Sequence, residues 1–170
     1  MRKSSLREFQ QALSKRLAIA ATRSSAPLRL TVESGGEHWV LDLPDAGEVL
    51  PMPALTPVPL GRPYYAGVAN VRGSLYSVVD FASLCGKAAT PRGAHARLLL
   101  CGRRFGLNAG LLFERVAGLR NADDFSIAAA AAAPLDWSGR EYADGTGARF
   151  RELRMEALVR HSDFMNLAAS

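Results

Sequence analysis

The stretch that decides the fold is Tyr65–Phe81, which reads YAGVANVRGSLYSVVDF. Two short apolar runs, residues 66–71 and 75–79, lie on either side of the tripeptide Arg72-Gly73-Ser74. Short runs rich in valine and aromatic residues, separated by a glycine-containing turn, are typical of a β-hairpin. We therefore predict a hairpin over this stretch.

Several polar residues of the stretch have predictable local roles. Gly73 is expected to adopt a positive φ in the turn, and Asn70 to shape the turn by hydrogen bonding. Asp80 is expected to cap a helical turn at residues 81–84. Arg72 has two interpretations, since its planar guanidinium suits a partner's carboxylates and equally an internal ion pair with Asp80 or Glu48.

The same alternation of apolar and polar residues around turn residues recurs along the chain and predicts three further hairpins and a strand. The hairpins are 28–32 with 39–43, 98–100 with 105–109, and 141–142 with 148–153, and the strand is 116–119.

The remaining stretches follow other patterns. Residues 49–63 hold five prolines, which favours an ordered loop or an edge of a sheet. An apolar stripe at helical spacing predicts an amphipathic helix at 4–21, which packs on the protein's own core or, alternatively, docks on a partner helix or membrane surface. The tail 154–167 is also expected to be helical, and the alanine run 128–133 to be a short helix or linker.

Many short strands with closely spaced turns predict a mainly β protein, built as a barrel or sandwich. Helices are expected at the two ends and in brief insertions. The chain lacks an alternation of strands with long helical patterns, which argues against a parallel nucleotide-binding sheet.

Length and composition agree with one globular domain. The 170 residues, 18.3 kDa, include 48% hydrophobic and 22% charged residues, which excludes a disordered or fibrous protein. No apolar run approaches the roughly 20 residues of a membrane helix, so we expect no direct membrane insertion. Two cysteines are too few for a disulfide framework, and a cytoplasmic location is the simplest expectation.

The positive charge is concentrated at the N-terminus. The net charge is +5, but residues 1–29 hold seven Lys/Arg and one Glu, while residues 30–170 hold 14 Lys/Arg and 15 Asp/Glu. A nucleic-acid surface requires clustered basic residues on the folded body, where only Arg103-Arg104 are adjacent. We therefore expect no nucleic-acid partner, and keep a β-barrel nucleic-acid module that uses the basic arm as the alternative function.

Residues with catalytic potential are scattered. The three histidines lie in different predicted elements, and no Cys/His spacing matches a zinc site. Phosphate-loop, nucleophile-elbow and dinucleotide-binding motifs are absent. Cys85 and Cys101 are expected to be buried structural thiols, and a thiol enzyme is a weaker alternative that requires one of them to be exposed. We predict that the protein is not an enzyme and holds no cofactor or metal.

The stretch quoted above resembles the signature of CheW-like domains, the coupling proteins of bacterial chemotaxis arrays. The matching residues, in order and spacing, are Gly67, Val68, Asn70, Arg72, Gly73, Val79 and Asp80. The resemblance extends over about residues 28–160. It is closer still to the PilI-type adaptors of twitching motility, through 69–81 and the later pattern from Trp137 to Leu153.

The resemblance implies two small SH3-like β-barrels packed on one another, with an N-terminal and a C-terminal helix. We predict an arm at 1–25 and a CheW-like domain at 26–170. One barrel would take about residues 28–60 plus 120–170, and the other about 61–119.

The resemblance also implies a function and its partners. It predicts a non-catalytic cytoplasmic adaptor that couples the cytoplasmic tip of a methyl-accepting chemoreceptor to a CheA-type histidine kinase, in a pathway that controls type IV pili. The residues expected to contact these partners are Glu48, Val49, Leu50, Val58, Asn70, Arg72 and Gly73. Three departures from the family pattern, Ala46, Pro57 and Ser77, bear on the choice of partner.

Overall fold

The computed structural model describes residues 26–128 and 134–167. This part of the chain contains twelve strands and three short helices. The strands are β1 Leu28–Ser34, β2 Glu37–Asp42, β3 Ala46–Pro51, β4 Leu55–Thr56, β5 Tyr65–Val71, β6 Ser74–Asp80, β7 Arg97–Cys101, β8 Ala109–Phe113, β9 Arg115–Asn121, β10 Phe125–Ile127, β11 Ser138–Asp144 and β12 Arg149–Leu153. The helices are α1 Phe81–Leu84, α2 Met155–Arg160 and α3 Ser162–Met165.

The strands form two six-stranded sheets with the same internal plan. Sheet A has the order β10-β11-β12-β2-β1-β9, and sheet B the order β3-β7-β8-β6-β5-β4. In each sheet the two central strands are parallel, β12 with β2 and β8 with β6, while the outer pairs are antiparallel. The predicted mainly β fold with two packed β-subdomains is thereby confirmed.

The largest apolar cluster lies between the two sheets. Phe81 is at its centre, with its ring 5.0 Å from that of Trp39 and 4.9 Å from that of Phe113. We call it the inter-sheet cluster; besides these aromatic residues, its buried members include Leu30, Val32, Leu41, Val79, Leu99, Leu111, Trp137, Leu153, Met155, Leu158 and Phe164. Burial of this much apolar surface holds the subdomains together.

Each sheet also encloses a smaller apolar cluster of its own. In sheet B the buried members are Ala69, Val78, Ala96, Leu98, Leu100 and Leu112. In sheet A they are Val40, Tyr142 and Phe150. Strand β7 serves two clusters, since Leu98 and Leu100 face the interior of sheet B while Leu99 faces the inter-sheet cluster.

The division of strands between the sheets corrects the predicted barrel boundaries. Strands β3 and β4 lie within the predicted 28–60 segment of the first barrel, yet they form the two edges of sheet B. Strand β9 begins at Arg115, within the predicted second barrel, and pairs with β1 in sheet A. The prediction was wrong here because strand partners distant in sequence leave no local signal in a short apolar run.

Most local predictions are confirmed. Hairpins β1–β2, β5–β6 and β11–β12 form as expected, and the proline-rich stretch supplies edge strands. The hairpin around Gly102 is partly wrong, since Phe105 ends a 3₁₀ turn and the return strand begins only at Ala109. The tail forms two helices rather than one, because His161 adopts an extended backbone and caps α3 through its side chain.

Two predictions fall wholly or largely on residues outside the described ranges, the helix at 4–21 and the alanine run at 128–133. Among the described residues, no helix combines the length and the apolar character needed for a membrane crossing.

Candidate functional site

The tip of the β5–β6 hairpin is a tight two-residue turn. Arg72 has φ +52° and Gly73 has φ +86°. Two consecutive positive φ values are characteristic of the type I′ turn, whose twist matches that of the flanking strands. Gly73 adopts its expected conformation. The positive φ of Arg72 was missed, because we predicted a three-residue turn that included Ser74, which instead pairs with Val71.

Asn70 stabilises the same turn from within. Its side-chain oxygen accepts a hydrogen bond of 2.8 Å from the backbone amide of Gly73. The predicted turn-shaping role of Asn70 is confirmed. The turn therefore holds the backbone of Arg72 in one conformation, which fixes where its side chain begins.

Arg72 and Glu48 form a bidentate ion pair across the surface. The two guanidinium nitrogens of Arg72 donate to the two carboxylate oxygens of Glu48, at 2.8 and 2.5 Å. The internal ion pair considered from the sequence is thus confirmed for Glu48. Both side chains stay accessible, at 75% and 40% exposure, so the pair orients Arg72 more than it stabilises the fold.

The other ion-pair candidate, Asp80, is committed elsewhere. Its carboxylate is buried and accepts hydrogen bonds from the amide of Ser83, at 3.2 Å, and from the amide and hydroxyl of Thr90, both at 2.8 Å. The predicted cap of α1 is confirmed. Asp80 additionally ties the loop after α1 to the end of β6, so its role is structural.

Strand β3 presents Glu48 and Val49 outward, while Leu50 is half-buried against the apolar cluster of sheet B. Ala46, one of the departures from the family pattern, packs against the inter-sheet cluster. The hairpin tip and Glu48 are joined by the ion pair of Arg72, and Val49 and Leu75 are exposed close to them in sequence; we call these residues the tip surface.

A groove with a volume of about 750 Å³ borders the tip surface. One wall carries Glu48 and Arg72, and another carries Arg103 and Arg104. Arg104 is bound to Asp45 at 2.7 Å, and its guanidinium lies 4.7 Å from the ring of Phe105. The charge of Arg104 is therefore largely compensated, which leaves the charge of the exposed Arg103 and weakens the nucleic-acid alternative.

The proline-rich loop that follows β4 forms a second exposed region. Val58 is 40% exposed and Leu60 is 83% exposed, with φ +59°. Beyond them, the amide of Arg62 donates a hydrogen bond of 2.8 Å to the carbonyl of Leu167, which follows α3. We call Val58 and Leu60 the loop surface. Leu60 was missed from the sequence because no pattern marks a solvent-exposed leucine in a left-handed conformation.

The loop surface and the tip surface lie at opposite ends of β5. Thr56 pairs with Val68, and the antiparallel direction carries the chain from there towards the start of β5. The tip follows the end of β5, and a seven-residue strand spans roughly 20 Å. The predicted contact residues are therefore divided, with Val58 on one surface and Glu48, Val49, Asn70, Arg72 and Gly73 on the other.

Comparison with known proteins identifies the family. The model of the CheW-like domain matches residues 29–161. The chain belongs to this family. A curated relative, protein PilI of Pseudomonas aeruginosa, is 29% identical over 139 residues, which cover 79% of this chain and 76% of PilI. The crystal structure of the scaffolding protein TtCheW from Thermoanaerobacter tengcongensis matches with a TM-score of 0.64 and 16% identity, over 75% of this chain and 88% of TtCheW.

The resemblance inferred from the motif is thereby confirmed, and the CheW-like fold explains how the motif residues are used. Gly67 allows the backbone a positive φ, and Asp80 accepts hydrogen bonds from the amides of Ser83 and Thr90, whereas the side chain of Arg72 is exposed. The departure Ser77 has a local consequence, because its amide donates a hydrogen bond of 3.0 Å to the carbonyl of Asn108. Proline, usual in the family at this position, lacks that donor.

The two cysteines of this CheW-like domain are poor nucleophiles. Burial raises the pKa of Cys85 and of Cys101 to about 12 each, and the nearby Glu37 adds to the shift at Cys85. The CheW-like scaffold family is non-catalytic, and the thiol environment agrees with a structural role.

We expect both thiols to react slowly with a chromogenic disulfide reagent at pH 8, because a thiol with a pKa near 12 is ionised in about one molecule in 10,000. Both should react fully and at once after denaturation in guanidinium. The measurement is the time course of absorbance. A native cysteine that reacts as fast as free cysteine would revive the thiol-enzyme alternative.

Proposed function

We propose that this protein is a non-catalytic cytoplasmic adaptor that couples the cytoplasmic tip of a methyl-accepting chemoreceptor to a CheA-type histidine kinase. We further propose that the pathway controls type IV pili. Membership of the CheW-like family supports the first proposal. The similarity to PilI over most of both chains, together with the motif resemblance to PilI-type adaptors, supports the second.

The observation that carries the proposal is the pair of separated surfaces. The tip surface offers an oriented ion pair beside the exposed apolar side chains of Val49 and Leu75. The loop surface offers Val58 and Leu60 roughly 20 Å away. A scaffold that holds two proteins at once requires two regions of this kind, each with apolar area or an arginine anchor.

The proposal is tested with purified full-length protein, the cytoplasmic signalling fragment of a chemoreceptor and a CheA-type kinase from the same organism. We expect each partner to bind in calorimetric titrations, and all three to co-elute from a sizing column. A folded protein that binds neither partner would refute the proposal. Duplex DNA serves as the competing ligand, and DNA binding that weakens steeply with salt would favour the nucleic-acid alternative.

Arg72→Ala should weaken binding of whichever partner contacts the tip surface by about tenfold or more, since a hydrogen bond from a charged group contributes roughly 1.5–3 kcal/mol. The fold should survive, because loss of an exposed ion pair costs about 1 kcal/mol at most. The measurements are titration calorimetry and thermal melting. Arg140→Ala removes an exposed arginine on sheet A and should leave the affinity unchanged.

A second variant distinguishes the effect of losing the guanidinium from the effect of disturbing the turn. Asparagine tolerates a positive φ, and Asn-Gly is a preferred type I′ pair, so Arg72→Asn should keep or improve stability while binding is still lost. Gly73→Val should lower stability and binding together, because its φ of +86° suits only glycine-like residues. If Arg72→Ala and Arg72→Asn both melt lower yet bind normally once folded, Arg72 is purely structural.

A further inference from the structure

An exposed apolar patch lies on sheet A, away from both surfaces described above. Leu28 of β1 is 40% exposed and Leu119 of β9 is 53% exposed. Leu119 pairs directly with Leu30, and Leu28 is two residues from Leu30 along β1. Side chains that are directly paired or two apart on a strand share one face. Leu28 and Leu119 therefore lie on the same face of sheet A as the buried Leu30, but they are exposed; we call these two residues the terminal patch.

The described chain begins beside this patch. The carbonyl of Pro27 accepts a hydrogen bond of 2.9 Å from the amide of Ala122, which fixes the point where residues 1–25 join the fold. That point is one residue from Leu28. The N-terminal segment is thus tethered at the edge of the terminal patch.

The sequence of the N-terminal segment suits that patch. Leu6, Phe9, Leu13, Leu17 and Ala20 form a single apolar stripe at helical spacing. Seven residues separate Ala20 from Leu28, and an extended chain spans up to about 3.5 Å per residue. That length is enough for the segment to turn back over the patch.

One acidic side chain near the patch is complementary to the segment. Asp123 is exposed and lies two residues after Asn121, which pairs with Leu28. The carboxylate of Asp124, by contrast, already contacts the guanidinium of Arg120, at 3.9 Å, and accepts from the amide of Asn121, at 3.1 Å. Residues 1–29 carry seven Lys/Arg and one Glu. Opposite charges around an apolar contact favour association and set its orientation.

We propose that the apolar stripe of residues 4–21 packs on the terminal patch of the same molecule. The occupant of the patch is this chain's own N-terminal segment, and any other protein that uses Leu28 or Leu119 must displace it. This inference concerns a contact within the chain and is independent of the chemoreceptor and the kinase.

The test uses the full chain with one added thiol, Leu119→Cys, and measures its labelling rate. The two native cysteines give a slow background, for the reason given above. Leu75→Cys is the matched control, since Leu75 is a strand leucine of similar exposure, 62%, on the other sheet. We expect Leu119→Cys to react at least about tenfold more slowly than Leu75→Cys, because labelling then requires local opening.

Two further substitutions assign the protection to the N-terminal segment. Leu13→Asp places a charge in the apolar stripe and should bring the labelling rate of Leu119→Cys close to that of Leu75→Cys. Gln11→Asp places the same charge on the opposite side of the predicted helix and should change neither rate. Both positions precede residue 26, so neither substitution changes a side chain of the described part of the chain.

Three results would overturn the proposal. Leu119→Cys could react as fast as Leu75→Cys, which means that the patch is open. Its protection could persist in Leu13→Asp, which means that something other than the stripe covers the patch. Protection that increases with protein concentration would assign the cover to a second copy of the chain.

Discussion

Gly67→Ala is expected to be the most destabilising single-methyl change in this protein, at about 4 kcal/mol. Gly67 has φ +127°, a region that residues with a Cβ rarely adopt, and such strain costs about 1–3 kcal/mol. A Cβ at this position would also overlap the carbonyl oxygen of Thr56 and lie 3.0 Å from the carbonyl carbon. Because backbone is less able to move than a side chain, overpacking adds about 1–3 kcal/mol.

Thermal melting measures this effect, and the chain supplies its own control. We expect Gly67→Ala to lower the Tm by about 10 °C, at roughly 2–4 °C per kcal/mol for a chain of this size. Gly118 has nearly the same φ, +129°, but a Cβ added there would meet no atom of the described residues within 4 Å. Gly118→Ala should therefore show the backbone strain alone, about half of the effect. Equal Tm losses would contradict the steric argument at Gly67.

Asp80→Ala is expected to cost about 3 kcal/mol. The substitution removes the cap of α1, worth about 1 kcal/mol, and leaves the buried amide of Thr90 without its acceptor, which costs about 1–3 kcal/mol. Denaturant unfolding should show the loss as a lower midpoint with an unchanged slope. The loop after α1 should exchange its amide hydrogens faster, because Asp80 ties it to β6.

Two further variants test whether the stability loss comes from the hydrogen bonds that Asp80 accepts. Asp80→Asn retains one carbonyl acceptor but turns an amide donor towards the remaining donors, so an intermediate loss of stability is expected. Asp123→Ala removes an exposed carboxylate and should change stability by no more than about 0.5 kcal/mol. An Asp80→Ala variant as stable as Asp123→Ala would show that Asp80 is not the link between β6 and Thr90.

Local structure was predictable wherever the sequence carries a local signal. The β5–β6 hairpin follows from two apolar runs on either side of Gly73, and the cap of α1 follows from Asp80 before Phe81. The assignment of β3 and β9 to sheets was not predictable, because β3 pairs with a strand about 50 residues further along the chain, and either sheet would accept its apolar pattern. His161 gives no signal of a helix break, since its capping role depends on the geometry of α3.

The sequence identified most residues of the candidate site, but it did not determine which of them contact each other. Arg72 and Glu48 were both expected at a surface, and their ion pair was one of two alternatives, but only the folded chain shows that Asp80 is fully used by Ser83 and Thr90. Leu50, one of the predicted contact residues, is half-buried against the apolar cluster of sheet B, just after an irregularity in the pairing of β3 with β7. The contact roles of these residues stay predictions.

Strand β7, which has apolar residues on both faces, couples the two halves of the molecule. Leu98 and Leu99 are neighbours in sequence, yet they lie in different apolar clusters, and Leu112 and Leu111 on β8 do the same. Because β7 and β8 contribute residues to both clusters, disorder of either strand disrupts the packing of both clusters. We therefore expect the two subdomains to unfold together as one cooperative unit, with no stable state in which only one of them is folded.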